Sequence, residues 1–284
     1  MKKPPITIGT VALTVANLDA SLAFYEEHIG LQVQQRTGAV AYLGVGGPAL
    51  LRLEERRGAR KEMRTTGLYH FALLLPSRID LALILRHFAQ METVLSGLAD
   101  HAVSEAIYLS DPDGHGIEIY RDRPRDEWEY IDGQLKLTTE QFDVAGVFDE
   151  LVGSSRQWAG LPAGTVMGHV HLHVAHISPA EAFYRQLIGL DLVTRYGPSA
   201  SFLSSGGYHH HLGMNTWNGV GAPSPSSDSL GLSWYELQFA PDLLPQVLAR
   251  LETAVIPVTA HENGWLVRDP SGNPILLTAQ EGDA

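Results

Sequence analysis

One carboxylate, Glu118, interrupts an otherwise apolar strand pattern, Ile117-Glu118-Ile119-Tyr120. Successive strand residues point to opposite faces, so Glu118 faces away from both isoleucines. A buried carboxylate is costly unless it is paired or binds a cation, so Glu118 either meets solvent or has a partner. Histidine can supply partners: the chain carries 13 histidines and no cysteine. Without thiols, disulfides and cysteine nucleophiles are excluded, and a bound metal would take His, Asp or Glu ligands. His169, His171 and His173 alternate along one strand pattern and share a face. Tyr208-His209-His210-His211 follows downstream. Alternation sets His209 and His211 on one face and His210 on the other, and a slip of one residue exchanges them. His101 and Tyr108 precede Glu118, and histidine is the side chain suited to proton transfer near neutral pH.

The elements that position these residues are legible. Asp100–Asp122 reads as a strand ending at Tyr108, a tight turn at Asp111-Pro112-Asp113-Gly114, and a strand over 117–120. Proline presets φ in such a turn and glycine admits positive φ. His115, inside the turn, reads as a surface residue. An internal repeat organises the rest. TVALTVANLDASLAFYEEHIGLQV (10–33) and HVHLHVAHISPAEAFYRQLIGLDL (169–192) share one layout: an alternating strand, a helix with Ala-Phe-Tyr, then Ile-Gly-Leu entering another strand. Asp19 and Ser178 are candidate helix caps, and Gly30 and Gly189 stand where a C-terminal glycine belongs. Residues 67–90 and 231–254 each read as strand, turn and helix, each followed by a strand–DPxG–strand ending. The expectation is an α+β fold of four βαβββ modules, about 6–55, 67–122, 167–217 and 230–280. Residues 1–122 then form an N-terminal half and 167–284 a C-terminal half. Residues 123–166 read as a connector, with a helix over TTEQFDVAGVFDELV, and 219–229 as a surface loop.

Composition narrows the function classes. With 284 residues and 44 % hydrophobic content, the chain can hold one large domain or two of ordinary size, with a real core. A formal net charge of −12 argues against nucleic acid or an acidic membrane surface as partner. No apolar run is long enough to span a bilayer, and the basic start MKKPPITIGT lacks the apolar segment of a signal peptide. A cytoplasmic location is the expectation.

AFYxxxIGL after an alternating strand, four βαβββ modules, and DPxG before a last strand resemble the vicinal oxygen chelate superfamily of glyoxalases, bleomycin-resistance proteins and extradiol dioxygenases. More narrowly, HAVSEAIYLSDPDGHGIE, GLYHFALLLPSR and GGYHHHLGMNTW resemble bacterial four-module catechol 2,3-dioxygenases, although Ala99 departs from the usual set two residues before the signature histidine. The resemblance implies paired modules forming open barrels of mixed sheet. It also implies metal ligands at the residue opening the first strand of a module and at a carboxylate on a last strand. Those positions are Thr10, His70, His169 and Trp234, with Glu118 and Leu276. Only modules two and three together offer two histidines and a carboxylate, His70, His169 and Glu118, the facial set of non-haem Fe(II) oxygenases. Modules one and four are then a metal-free pair. Pairing within one chain and across a dimer satisfy this equally.

What the resemblance implies for chemistry is opening of a catechol by O₂ at Fe(II), alternatively Mn(II), to a muconic semialdehyde. His101 and Tyr108 are then the groups near the substrate hydroxyls, and His210 the acid–base near O₂, with His209 and His211 as the alternatives under a register slip. His171, His209, His211, Asn215 and Trp217 would line the substrate cavity, with Asn215 and Trp217 either closing the pocket or merely packing; His173 lines it too or is exposed, and His176 reads as exposed. Scaffolds of this kind often form homo-oligomers. Two other classes share the scaffold: a metal-dependent lyase or isomerase of glyoxalase type, which usually carries a second carboxylate, and a drug-sequestering binder, which needs no triad. Metal content separates binder from enzyme, and metal identity separates oxygenase from glyoxalase.

Overall fold

The computed structural model describes residues 4–131, 133–261 and 263–280; the start of the basic N-terminus, residues 1–3, lies outside them. Four modules of like order follow one another. The first comprises β1 (Ile6–Val15), α1 (Leu18–Phe24), β2 (Gln32–Thr37), β3 (Val40–Gly44) and β4 (Leu51–Glu55). The second comprises β5 (Gly67–Leu74), α2 (Arg78–Gln90), β6 (Leu95–Asp100), β7 (Ser104–Ser110) and β8 (Gly116–Asp122). A connector carries the short hairpin β9 (Tyr130–Ile131) and β10 (Gln134–Leu135), then α3 (Val144–Asp149). The third module comprises β11 (Val166–His173), α4 (Ile177–Ala182), β12 (Asp191–Tyr196), β13 (Ala200–Ser204) and β14 (Leu212–Asn215). The fourth comprises β15 (Gly231–Phe239), α5 (Leu244–Thr253), β16 (Thr259–His261), β17 (Gly264–Arg268) and β18 (Pro274–Ala279). Among the described residues no helix is long and apolar enough to cross a membrane.

Strand order gives two eight-stranded sheets, β16-β17-β18-β15-β1-β4-β3-β2 and β12-β13-β14-β11-β5-β8-β7-β6. The first joins modules four and one, the second modules three and two. This is the paired-module α+β architecture that the resemblance implies, each sheet curling into a half-barrel.

The chain divides into two compact units. One holds Met1–Thr14, Arg60–Tyr69 and Gly168–Ala284; the other holds Val15–Ala59 and His70–Met167. In the first unit β1 runs antiparallel to β15, with Ala12 opposite Trp234, while β15 runs parallel to β18 and β11 parallel to β14. Leu13, Val170, Leu172, Leu237, Phe239 and Leu277 are fully buried there. In the second unit β5 runs parallel to β8, which runs antiparallel to β7. Phe71, Leu73, Ile107 and Ile119 from these strands are buried, as is Phe88 from α2.

The Ala-Phe-Tyr helices end alike. α1 widens into a π turn over Tyr25–Ile29 and α4 into one over Phe183–Ile188, and each stops at a left-handed glycine, Gly30 (φ 81°) and Gly189 (φ 98°). A Cβ at Gly30 would stand 2.7 Å from Gly160 Cα, so only glycine fits. The caps differ from expectation. Asn17, not Asp19, accepts from Ala20 N at 3.0 Å. α4 begins after His176 without a side-chain cap, and Ser178 lies inside the helix.

The connector helix is shorter than its sequence suggests, six residues, because the preceding stretch pairs elsewhere. Glu140 and Asp100 exchange backbone hydrogen bonds of 2.8 and 3.2 Å. Asp143 then caps α3, accepting from Gly146 N at 2.9 Å.

A charged clamp stiffens the back of the second unit's strands. Glu105 on β7 is fully buried, and its carboxylate accepts from Arg78 Nε and Nη2 (2.9 Å each) and from Arg121 Nε (2.6 Å). Burial alone would raise its pKa, but the two guanidiniums hold it below the ordinary carboxylate range. Arg78 opens α2 and Arg121 lies on β8, so one carboxylate ties helix to sheet. Alternation puts Tyr108 and Glu118 on the other face of these strands.

Candidate metal centre

In the second unit, β5 and β8 set His70 against Gly116 and Ala72 against Glu118. The two side chains therefore leave one face a single pleat apart, and His70 Nε2 lies 3.0 Å from Glu118 Oε2. Both residues are buried, 6 % and 3 % exposed. Glu118 thus has a partner and does not meet solvent. His70 is the fourth residue of β5, not its opening residue, and His169 holds the same place in β11. Tyr108 sits directly opposite Glu118 across β7 and β8, its ring centroid 5.7 Å from that of His70. Beneath them the small residues Ala72 and Ala106 pack on Tyr120.

His101 lies in the tight connection between β6 and β7, where Ala102 takes a positive φ of 67° and Asp100 Oδ1 accepts from Ala102 N at 2.9 Å. Its Nδ1 stands 2.6 Å from the Thr138 carbonyl, and its Nε2 stands 2.8 Å from the Tyr108 hydroxyl. A carbonyl can only accept, so Nδ1 carries a proton. In the neutral ring Nε2 is then the acceptor for Tyr108. The connector thereby fixes a tautomer, a role its sequence did not advertise.

In the first unit, β11 presents His169 (1 % exposed), His171 (4 %) and the half-buried His173. Its register with β14 places His171 beside Gly213 and His173 beside Asn215. A Cβ on Gly213 would stand 2.9 Å from the His171 ring, so glycine there makes room for it. Asn215 bridges the two histidines, its Nδ2 3.0 Å from His171 Nε2 and its Oδ1 2.7 Å from His173 Nδ1. Since an amide nitrogen donates and an amide oxygen accepts, His171 accepts and His173 donates. Trp217 lies tilted against His171 with ring centroids 5.5 Å apart, and Tyr69 stands edge-on to both at 5.2 and 5.1 Å. Tyr69 and Phe202, which packs 5.7 Å from His171, were not singled out from sequence. The Gly-Leu-Tyr-His spelling places Tyr69 next to His70, and that adjacency was the available signal.

The His209–His211 run does not alternate as a strand, because β14 begins only at Leu212. His209 is fully buried, with Nδ1 2.8 Å from His210 Nδ1. His210 is half-buried, its ring 4.1 Å from that of His169 and 5.1 Å from Phe202. His211 is buried, and its Nδ1 accepts from Ser205 N at 3.1 Å. His210 is therefore the member that lies against His169, while His211 ties down its own loop. His176 is exposed, as read. His115 is not: it is 3 % exposed and bound to Asp111, which draws it beneath the turn.

His70, Glu118 and His169 are each buried, and among the described residues they are the histidine and carboxylate group that could hold a metal ion. Two imidazoles and a carboxylate without thiolate suit Fe, Mn, Ni or Zn, and such a set leaves coordination positions open. The corresponding place in modules four and one is apolar. Ala12, Trp234 and Leu276 pack there as a cluster, with Leu266 against it. The β1–β15 ladder shifts register between Ile8 and Val11, just before Ala12. Thr10 N instead donates to Glu236 Oε2 at 2.9 Å.

Residues 7–119 match the family described as the Glyoxalase/Bleomycin resistance protein/Dioxygenase superfamily. The chain is 43 % identical over 269 residues to catechol-2,3-dioxygenase of Bacillus subtilis (strain 168), covering 93 % of each. It is 27 % identical over 139 residues to metallothiol transferase FosB of Lysinibacillus sphaericus, covering 48 % of this chain and 96 % of that one. Among solved structures, a candidate dioxygenase from Bacillus subtilis superposes with a TM-score of 0.67 at 13 % identity, covering 99 % of this chain and 87 % of that one. Glyoxalase I from Zea mays gives 0.58 at 14 %, covering 96 % and 92 %. Likeness of this order to the two structures shows a shared fold.

Proposed function

The chain belongs to the glyoxalase/bleomycin resistance/dioxygenase superfamily, and on that premise we propose that it is an extradiol dioxygenase, opening catechol or a substituted catechol with O₂ to a muconic semialdehyde. The observation that carries this reading is the buried His70–Glu118–His169 group. In the proposal these three hold Fe(II). Bound there, Fe(II) would supply the redox chemistry that joins O₂ to the ring.

The remaining tasks fall to the chain's own groups. Tyr108 meets a catechol oxygen through its hydroxyl. His101, with Nδ1–H fixed on the Thr138 carbonyl, takes a proton from Tyr108 at Nε2 and returns it later. His210, against His169 and hydrogen-bonded to His209, serves as acid–base on the other side. Tyr69, His171 and Trp217 offer ring faces to the substrate, and Asn215 holds His171 in orientation.

Anaerobic loading with Fe(II), then addition of catechol and air, is the test. A yellow ring-fission product is expected. Its absence with Fe(II) and with Mn(II), over several catechols, overturns the proposal.

A further inference from the structure

The two DPxG turns are one device built twice. In module two, Asp111 Oδ1 accepts from the backbone N–H groups of Asp113 (3.0 Å) and His115 (2.8 Å). Its Oδ2 accepts from the Tyr25 hydroxyl (2.9 Å) and from His115 Nδ1 (2.8 Å). In module four, Asp269 Oδ1 accepts from Ser271 N (2.7 Å) and Asn273 N (2.9 Å). Its Oδ2 accepts from the Tyr184 hydroxyl (2.9 Å) and from Asn273 Nδ2 (3.0 Å). Both tyrosines come from the π turns that close the Ala-Phe-Tyr helices. Burial and the facing aspartate push both phenols up, so both remain donors.

The turns differ at the residue four after the aspartate, histidine in one and asparagine in the other. Seven residues after the aspartate stands Glu118 in the first and Leu276 in the second. The imidazole thus feeds the strand with the carboxylate, and the amide feeds the strand with the apolar residue. The direction of the pKa shift divides the same way. Burial alone would raise both aspartates, but His115 holds Asp111 below the ordinary range, whereas Asp269, bonded to an amide, lies above it.

We propose that His115 is a positioning residue for the metal carboxylate: its bond to Asp111 fixes the register in which β8 leaves the turn, and so the placement of Glu118. β8 begins at Gly116, the next residue, and Gly116 is the β-partner of His70, so one anchor serves both. Partners that orient a ligand in this way typically contribute about 10- to 100-fold in metal affinity. The inference rests on the reading of Glu118 as a ligand.

The fold supplies its own test substitution, since module four already builds this turn with asparagine. His115→Asn is expected to keep its melting temperature while Fe(II) affinity, measured by competition with a chelator, weakens about 10-fold or more. Asn273→His should leave that affinity unchanged. Unchanged Fe(II) affinity in His115→Asn, beside a loss in Glu118→Leu, overturns the positioning role. Wild-type affinity in Glu118→Leu overturns the ligand reading and this inference with it. If His115→Asn does not fold, Asp111→Asn removes the carboxylate that the His115 imidazole is bonded to and reads the same quantity, with the same expectation and the same overturning result.

Discussion

Glu118→Leu yields a folded protein that has lost both metal and turnover. The substitution copies module four, where Leu276 occupies the same register and packs with Ala12 and Trp234. The sheet therefore has a precedent for an apolar side chain there, of similar volume to the one it replaces. Removing a buried carboxylate also removes a desolvation cost, so the melting temperature of the metal-free protein should hold or rise. Function behaves oppositely. A metal ion contributes several kcal/mol to such a reaction, and each 1.36 kcal/mol is tenfold, so kcat/KM is expected to fall on the order of 10³-fold or more. Metal analysis after desalting, read beside a thermal melt, checks both halves. A variant that melts normally and retains stoichiometric iron contradicts the assignment.

The second large effect concerns proton transfer. Tyr108→Phe keeps the ring that packs near His70 and removes only the hydroxyl that faces His101 Nε2. General acid–base catalysis typically contributes about 10²- to 10⁴-fold, and a kcat loss in that range is expected, with iron content unchanged. His101→Ala should lose about as much. Because the two groups act as one relay, the double variant should be little worse than either single variant. Independent, multiplying losses would show that they do not act together. The contrast with Glu118 is diagnostic, since there metal and rate fall together.

These expectations show how far residue patterns reach. The repeat was legible because AFYxxxIGL encodes a local event, a helix closing on a left-handed glycine, and local events leave local spelling. Pairing of module two with three, and of one with four, was legible through the resemblance, because at the positions it marks only one combination assembles two imidazoles and a carboxylate. What the pattern did not carry is tertiary. Tyr25 belongs to module one and Asp111 to module two, and nothing in either motif announces that they meet. His115 looked like a surface residue because turns usually protrude; this one folds back on its own aspartate. The faces of His209, His210 and His211 could not follow from alternation. Gly206 and Gly207 both take positive φ, 64° and 67°, and the chain rejoins the sheet only at Leu212. The carbonyl that sets the tautomer of His101 comes from Thr138, in a connector whose sequence suggested a longer helix.

The central claim is that one metal is held jointly by a histidine and a carboxylate of module two and a histidine of module three. Iron stoichiometry of wild type beside His169→Ala, after anaerobic loading and desalting, tests it most directly. The account predicts one iron per wild-type chain and a substoichiometric amount in the variant, with both proteins folded. Equal iron in the two would contradict it, and would place the third ligand elsewhere than on β11.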